Sequence, residues 1–247
     1  MTPANRMIAL ATAVGISLAL AAPAAAQMTP VGLFVPQAMV VSDYRFEGMS
    51  STAREPTPQA SLYLWRPDKF YAGVFVSGVD YGYPGSPTYE IDGYVGRHFD
   101  VTPKTRLTAE VMASTFPDQM KTGPTLNFVQ TKLKAERTEG RFSAFGQAAF
   151  TPSASYDAGR AWTLKAGGAY AVRPWLKLDA SVGRRLSERG QDRDFWRLGA
   201  VASNKALALE VAYEDTNLSR AQCFYTDWCA PGLVAKLTYT PPVIPGG

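Results

Sequence analysis

The segment Leu176-Lys177-Leu178-Asp179-Ala180-Ser181-Val182 decides the fold. Apolar residues take every second position, and Lys177, Asp179 and Ser181 fall between them. Successive side chains of a strand point to opposite faces, so this segment makes one apolar and one polar face. A helix would set the lysine and the aspartate among the leucines.

The same alternation recurs along the chain. Leu107, Ala109, Val111 and Ala113 oppose Arg106, Thr108, Glu110 and Met112; Val129, Thr131, Leu133 and Ala135 oppose Gln130, Lys132, Lys134 and Glu136. Trp162 to Tyr170, Trp196 to Ala202 and Leu233 to Tyr239 divide in the same manner. The pattern predicts about twelve strands, near residues 38–47, 58–66, 69–79, 88–99, 104–115, 125–136, 141–151, 160–172, 175–186, 194–203, 205–215 and 232–241. A strand of about ten residues tilted by about 40° covers the ~25 Å apolar band of an outer membrane, whereas soluble sandwiches favour strands of ~5–6 residues.

The connections between these strands alternate in length. Short ones fall at Pro67-Asp68, Thr102-Pro103, Thr138 to Gly140, Arg173-Pro174 and Ser203-Asn204. Longer ones run from Gly48 to Thr57, Asp80 to Pro87, Phe116 to Pro124, Pro152 to Gly159, Ser187 to Arg193 and Thr216 to Pro231. Tight inner turns and long outer loops give this rhythm in an up-and-down barrel. The expected fold is therefore all-β: an antiparallel up-and-down transmembrane β-barrel. Tyr44, Phe46, Trp65, Phe70, Tyr71, Tyr89, Phe99, Phe150, Trp162, Trp175 and Trp196 lie near strand ends, where amphipathic rings settle at membrane interfaces.

The N-terminus reads as an address. Arg6 precedes an apolar run from Met7 to Leu20, and Ala24-Ala25-Ala26 supplies a small-residue cleavage site. Residues 1–26 are expected to be a Sec-type leader and residues 27–247 the barrel domain. The formal net charge is +4, and the leader contributes only Arg6 to it. So mild and dispersed a charge excludes nucleic acid as a partner. Cys223 and Cys229 are the only cysteines. In an exported chain they are expected to form a disulfide, worth roughly 2 kcal/mol for so small a ring.

Ser42-Asp43-Tyr44-Arg45-Phe46-Glu47-Gly48-Met49-Ser50 resembles the S-D-Y-R-F-R-G-x-S signature of the TorF-like porin family, long catalogued as bacterial proteins of unknown function. Phe70-Tyr71-Ala72-Gly73-Val74, Val79-Asp80 and Tyr89-Glu90-Ile91-Asp92-Gly93-Tyr94-Val95-Gly96 follow in the family's order. The resemblance implies an outer-membrane barrel of porin type, whose partners would be outer-membrane lipids, the barrel-assembly machinery and small polar solutes. Barrels of this kind commonly end on an aromatic residue; here Tyr239 is followed by Thr240 to Gly247.

A charge facing lipid at mid-membrane costs as much as ~2–4 kcal/mol, so charged strand residues are expected inside. The pore-lining candidates are Asp43, Arg45, Glu90, Asp92, Arg106, Glu110, Lys132, Lys134, Lys165, Lys177, Asp179, Arg197, Glu210 and Lys236. Glu90 and Asp92 are expected to face Arg106, and Glu110 to face Lys132 or Lys134. No catalytic residue, cofactor or metal is expected. The lone His98 has no G-x-S-x-G partner motif and reads as a solvated interfacial side chain. Two functions remain open at this point: a porin passing small polar solutes, and a closed structural or surface-interaction barrel. N-terminal sequencing of the exported protein should give Gln27 as its first residue; a start at Met1 would mean an uncleaved anchor.

Overall fold

The computed structural model describes residues 26–29, 32–121 and 125–244. The expected leader lies outside the described residues except for Ala26. Twelve strands form the wall: β1 Gly32–Val41, β2 Thr57–Trp65, β3 Phe70–Gly78, β4 Tyr89–Thr102, β5 Thr105–Thr115, β6 Phe128–Glu139, β7 Phe142–Ala154, β8 Gly159–Arg173, β9 Leu176–Ser187, β10 Arg193–Asn204, β11 Leu207–Thr216 and β12 Gly232–Tyr239. Each pairs antiparallel with its neighbours in sequence, and β12 returns to β1. The result is a closed ring without free edges, one of two ways a chain can satisfy its backbone in lipid.

The ring closes at a short seam. Val41, Val40, Met39 and Ala38 pair with Lys236, Leu237, Thr238 and Tyr239. Below it, Gln27, Met28 and Thr29 pair with Phe34, Leu33 and Gly32, and Val243-Ile244 pairs with Ala26-Gln27. Pro36 sits between these two stretches, opposite Leu62 of β2 and, among the described residues, with no residue opposite it across the seam. A proline suits such a position, where no ladder hydrogen bond calls on its missing N–H. Tyr239 thus ends the last wall strand, while the tail beyond it helps complete the seam.

Tight turns at 66–69, 103–104, 140–141, 174–175 and 205–206 occupy the end that also holds the described termini. The opposite end carries six loops: L1 at 42–56, L2 at 79–88, L3 at 116–127, L4 at 155–158, L5 at 188–192 and L6 at 217–231. Two expectations need correction. The first strand spans Gly32–Val41 rather than 38–47, because Ser42 onward forms L1 instead of wall. L4 is short, because β7 continues through Thr151, Pro152 and Ser153 to Ala154.

The outer face is apolar. Leu178 is 46% exposed, Val182 63% and Leu198 63%. In water, each such side chain would forgo roughly 1.5–3 kcal/mol of burial, a penalty that acyl chains remove. Phe70, Tyr89, Phe99, Phe150, Trp162 and Trp196 face outward near strand ends, and Trp175 lies exposed in a turn. Trp65 and Tyr71 do not join this belt: they lie on the inward parity of β2 and β3 and stack against His98. Tyr44 and Phe46 belong to L1. Val182→Arg, on the lipid face of β9, should cost ~2–4 kcal/mol of stability by urea unfolding in liposomes. Ser181→Arg, facing inward, should cost much less; equal losses would contradict the two-sided wall.

Candidate functional site

The interior is organised by L1, which folds back into the barrel. Within it Arg45-Phe46 and Met49-Ser50 form a miniature antiparallel hairpin. Its turn is Glu47-Gly48, at φ 51° and 83°. Two positive φ values are what a type I′ turn requires, and glycine takes one of them without strain. A Cβ on Gly48 would also meet the Asp215 carbonyl oxygen at 3.0 Å.

The turn carries Glu47 to the far wall. Its carboxylate accepts from Arg193 at 2.6 Å, from Arg185 at 3.1 Å and from the Thr163 hydroxyl at 2.6 Å. Those partners stand on β10, β9 and β8. All three charged side chains are nearly buried, so they hold one another where water screens little. The TorF-like signature has arginine at the position of Glu47, and sequence reading did not single out Glu47, Arg185 or Arg193. The usable signals were a lone acid at a basic signature position and two arginines on the inward parity of long strands.

The rest of L1 is tied as firmly. Asp43 accepts from Arg45 at 2.7 Å and from Ser50 at 2.6 Å. Arg45 donates onward to the Ala230 carbonyl at 3.0 Å, and the Ser50 amide donates to Trp228 oxygen at 2.9 Å. These contacts join L1 to L6, where Cys223 and Cys229 form their disulfide. Phe46 meets Phe128 of β6, and Tyr44 meets Phe75 of β3. Burial, and then the carboxylates of Glu90 and Asp92, hold the Tyr44 phenol well above its ordinary pKa. Asp43 and Arg45 are therefore inside the barrel as parts of L1, not as parts of a wall strand.

The wall charges form separate groups. Arg197 on β10 pairs with Asp179 on β9 and, at 2.8 and 3.4 Å, with Glu210 and Glu214 on β11. Lys236 on β12 reaches Glu210 at 3.3 Å. Lys132 meets Glu110 at 2.5 Å, Tyr71 donates to Glu110 at 2.6 Å, and Lys134 pairs with Glu136. Lys165 and Lys177 take the inward parity of β8 and β9, Lys177 near the tight-turn end. Arg106 does not face Glu90 or Asp92: the register sets it opposite Asp100, which it meets at 2.9 Å near that same end. Glu90 instead accepts from Ser114 at 2.8 Å. His98 is no interfacial residue; it faces inward between Trp65 and Tyr71, with Nδ1 2.9 Å from Thr108 Oγ1.

A closed antiparallel ring with an apolar exterior and a charged, loop-filled interior has the fold of a porin-like β-barrel. The chain belongs to the family described as "Bacterial protein of unknown function (Gcw_chp)", which it matches over residues 25–238. No curated protein matches the sequence. Among solved structures it is similar to the KdgM porin, with a TM-score of 0.54 at 6% identity over 83% of this chain and 98% of that one. The NanC porin gives 0.53 at 5% identity over 83% and 97%, and a mutant of the TodX monoaromatic hydrocarbon channel gives 0.51 at 12% over 86% and 91%.

Glu47→Gln leaves Arg185 and Arg193 buried without their counter-charge. Breaking a buried pair in this way should cost about 3–5 kcal/mol locally. The expected readout is faster amide exchange across L1 with the wall strands unchanged; unaltered exchange would mean that Glu47 does not hold the loop.

Proposed function

We propose that this protein is an outer-membrane channel through which small polar solutes diffuse passively, past a constriction made by L1. The observation that carries the reading is the inward-folded L1 hairpin, anchored to walls lined with charge of both signs. The expected pore-lining residues fit such a path: Glu110, Lys132, Lys134, Lys177, Asp179, Arg197, Glu210 and Lys236 around it, Arg106 toward its tight-turn mouth, and Asp43, Arg45, Glu90 and Asp92 at the L1 level. Mixed signs favour polar solutes without strong ion selectivity. A KdgM porin structure in complex with disordered oligogalacturonate, similar at a TM-score of 0.55 with 6% identity, supports a fold able to admit a polar solute. The TorF-like resemblance supports the same class. Sec-type export, cleavage after Ala26 and insertion by the barrel-assembly machinery would bring the chain to its lipid partners.

A second reading is favoured by one observation: Gly48, Ser50, Ser51 and Thr52 of L1 are all buried. A barrel of this size leaves little bore once L1 joins the wall side chains in filling it. The closed reading makes L1 a permanent plug and moves function to the outer loops.

Single-channel recording of the refolded chain from residue 27 separates the two. Discrete, salt-dependent steps establish the channel, and Lys132→Ala should then shift ion preference toward cations. Heat-modifiable gel mobility without any conductance means the closed barrel. On the channel reading, Glu47→Gln should give larger or more frequent openings than the unaltered chain; identical traces would place the constriction elsewhere.

A further inference from the structure

Ion pairing is general among the inward carboxylates, with one conspicuous exception. Asp100, Glu110, Glu136, Asp179, Glu210 and Glu214 of the wall each meet a lysine or arginine. Asp43 and Glu47 of L1 do as well. Glu90 and Asp92 form no ion pair among the described residues, although they are only 6% and 7% exposed. They stand two residues apart on the inward face of β4, and Oδ1 of Asp92 is buried without any hydrogen-bond partner.

Leaving two adjacent carboxylates dry and unpaired is costly, because desolvation and mutual repulsion both oppose their ionisation. What surrounds them is oxygen. Ser114 on β5 donates its hydroxyl to Glu90, and the Tyr44 ring of L1 packs on Phe75, the residue directly opposite Asp92 on β3. Tyr81 of L2 packs with Val79, Phe116 and Leu126, which belong to L2 and L3 beyond the loop end of β4. That apolar cluster shields the pair on the loop side. Oxygen donors with no thiolate or imidazole suit a hard cation that tolerates irregular, partly hydrated coordination.

We propose that Glu90 and Asp92, with the hydroxyls of Ser114 and Tyr44, bind one divalent cation of calcium type and so fasten L1 to β4. The two carboxylates neutralise its charge, and carbonyl or water oxygens complete its shell. With so few charged ligands, the dissociation constant should fall in the ~10⁻⁴–10⁻³ M range seen for weak calcium sites. The cation clamps L1 on the side opposite the Glu47 latch, so the hairpin is held from both flanks. This assignment does not depend on whether the barrel conducts.

Terbium luminescence excited through tyrosine tests it on the folded chain in detergent micelles. The unaltered protein should sensitise terbium, and calcium should displace it. Glu90→Gln/Asp92→Asn should bind terbium at least ~10–100-fold more weakly. Millimolar calcium should raise the urea midpoint of the unaltered protein and leave that of the double variant where it was. The double variant keeps side-chain shape and removes unpaired buried charge, so it should fold; Asp92→Asn alone makes the same comparison if it does not. Equal terbium binding by protein and variant would overturn the proposal, as would a urea midpoint indifferent to calcium. A midpoint that responds to pH but not to calcium would overturn it too, and would assign the pair a shared proton.

Discussion

Closure of β1 onto β12 is the constraint on which the rest of the structure depends. Within lipid no water is available to satisfy a free strand edge, so the sheet exists as a ring or not at all. Four residue pairs, Ala38 to Val41 against Lys236 to Tyr239, make that join, and the short pieces at either terminus extend it. Once the ring is closed, the period-two alternation acquires its meaning: one parity meets acyl chains and the other meets the interior. Every charged group named above in the lumen is inside because the other parity would place it in hydrocarbon.

The same closure creates the problem that L1 solves. A ring of twelve strands encloses a space too wide for wall side chains to fill alone and too narrow for a second layer. L1 enters this space as a hairpin that brings its own charges. Glu47 is buried yet balanced by Arg185 and Arg193, and Asp43 is balanced by Arg45. A buried acid without such partners would be expelled to water, so the arginines on β9 and β10 do as much to place the loop as its own turn does.

The wall was legible in the sequence because it obeys a local rule. Leu176 to Val182 announces its two faces from its own residues, and the same alternation in β5, β6 and β8 needs no knowledge of neighbours. The interior was less legible because it depends on contacts across the ring. Trp65 and Tyr71 look like interface aromatics from their positions near strand ends; only their parity and the approach of His98 from β4 turn them inward. Arg106 and Glu90 look like cross-strand partners until the register slides Arg106 down to Asp100. Ser42 to Glu47 reads as the end of the first strand, and a two-residue turn at Glu47-Gly48 makes it part of a folded-in hairpin instead.

The Glu47 latch has a consequence for the order in which the molecule forms. It joins positions separated in sequence by 138 and 146 residues, the far partners lying on β9 and β10. Contacts so distant in sequence carry a large loop-closure entropy and reward a growing chain late. L1 is synthesised early but finds its partners only after most of the wall stands. The loop that fills the centre is therefore among the last pieces to settle, and an incompletely assembled ring presents Ser42 to Ser50 as an open, unburied strap.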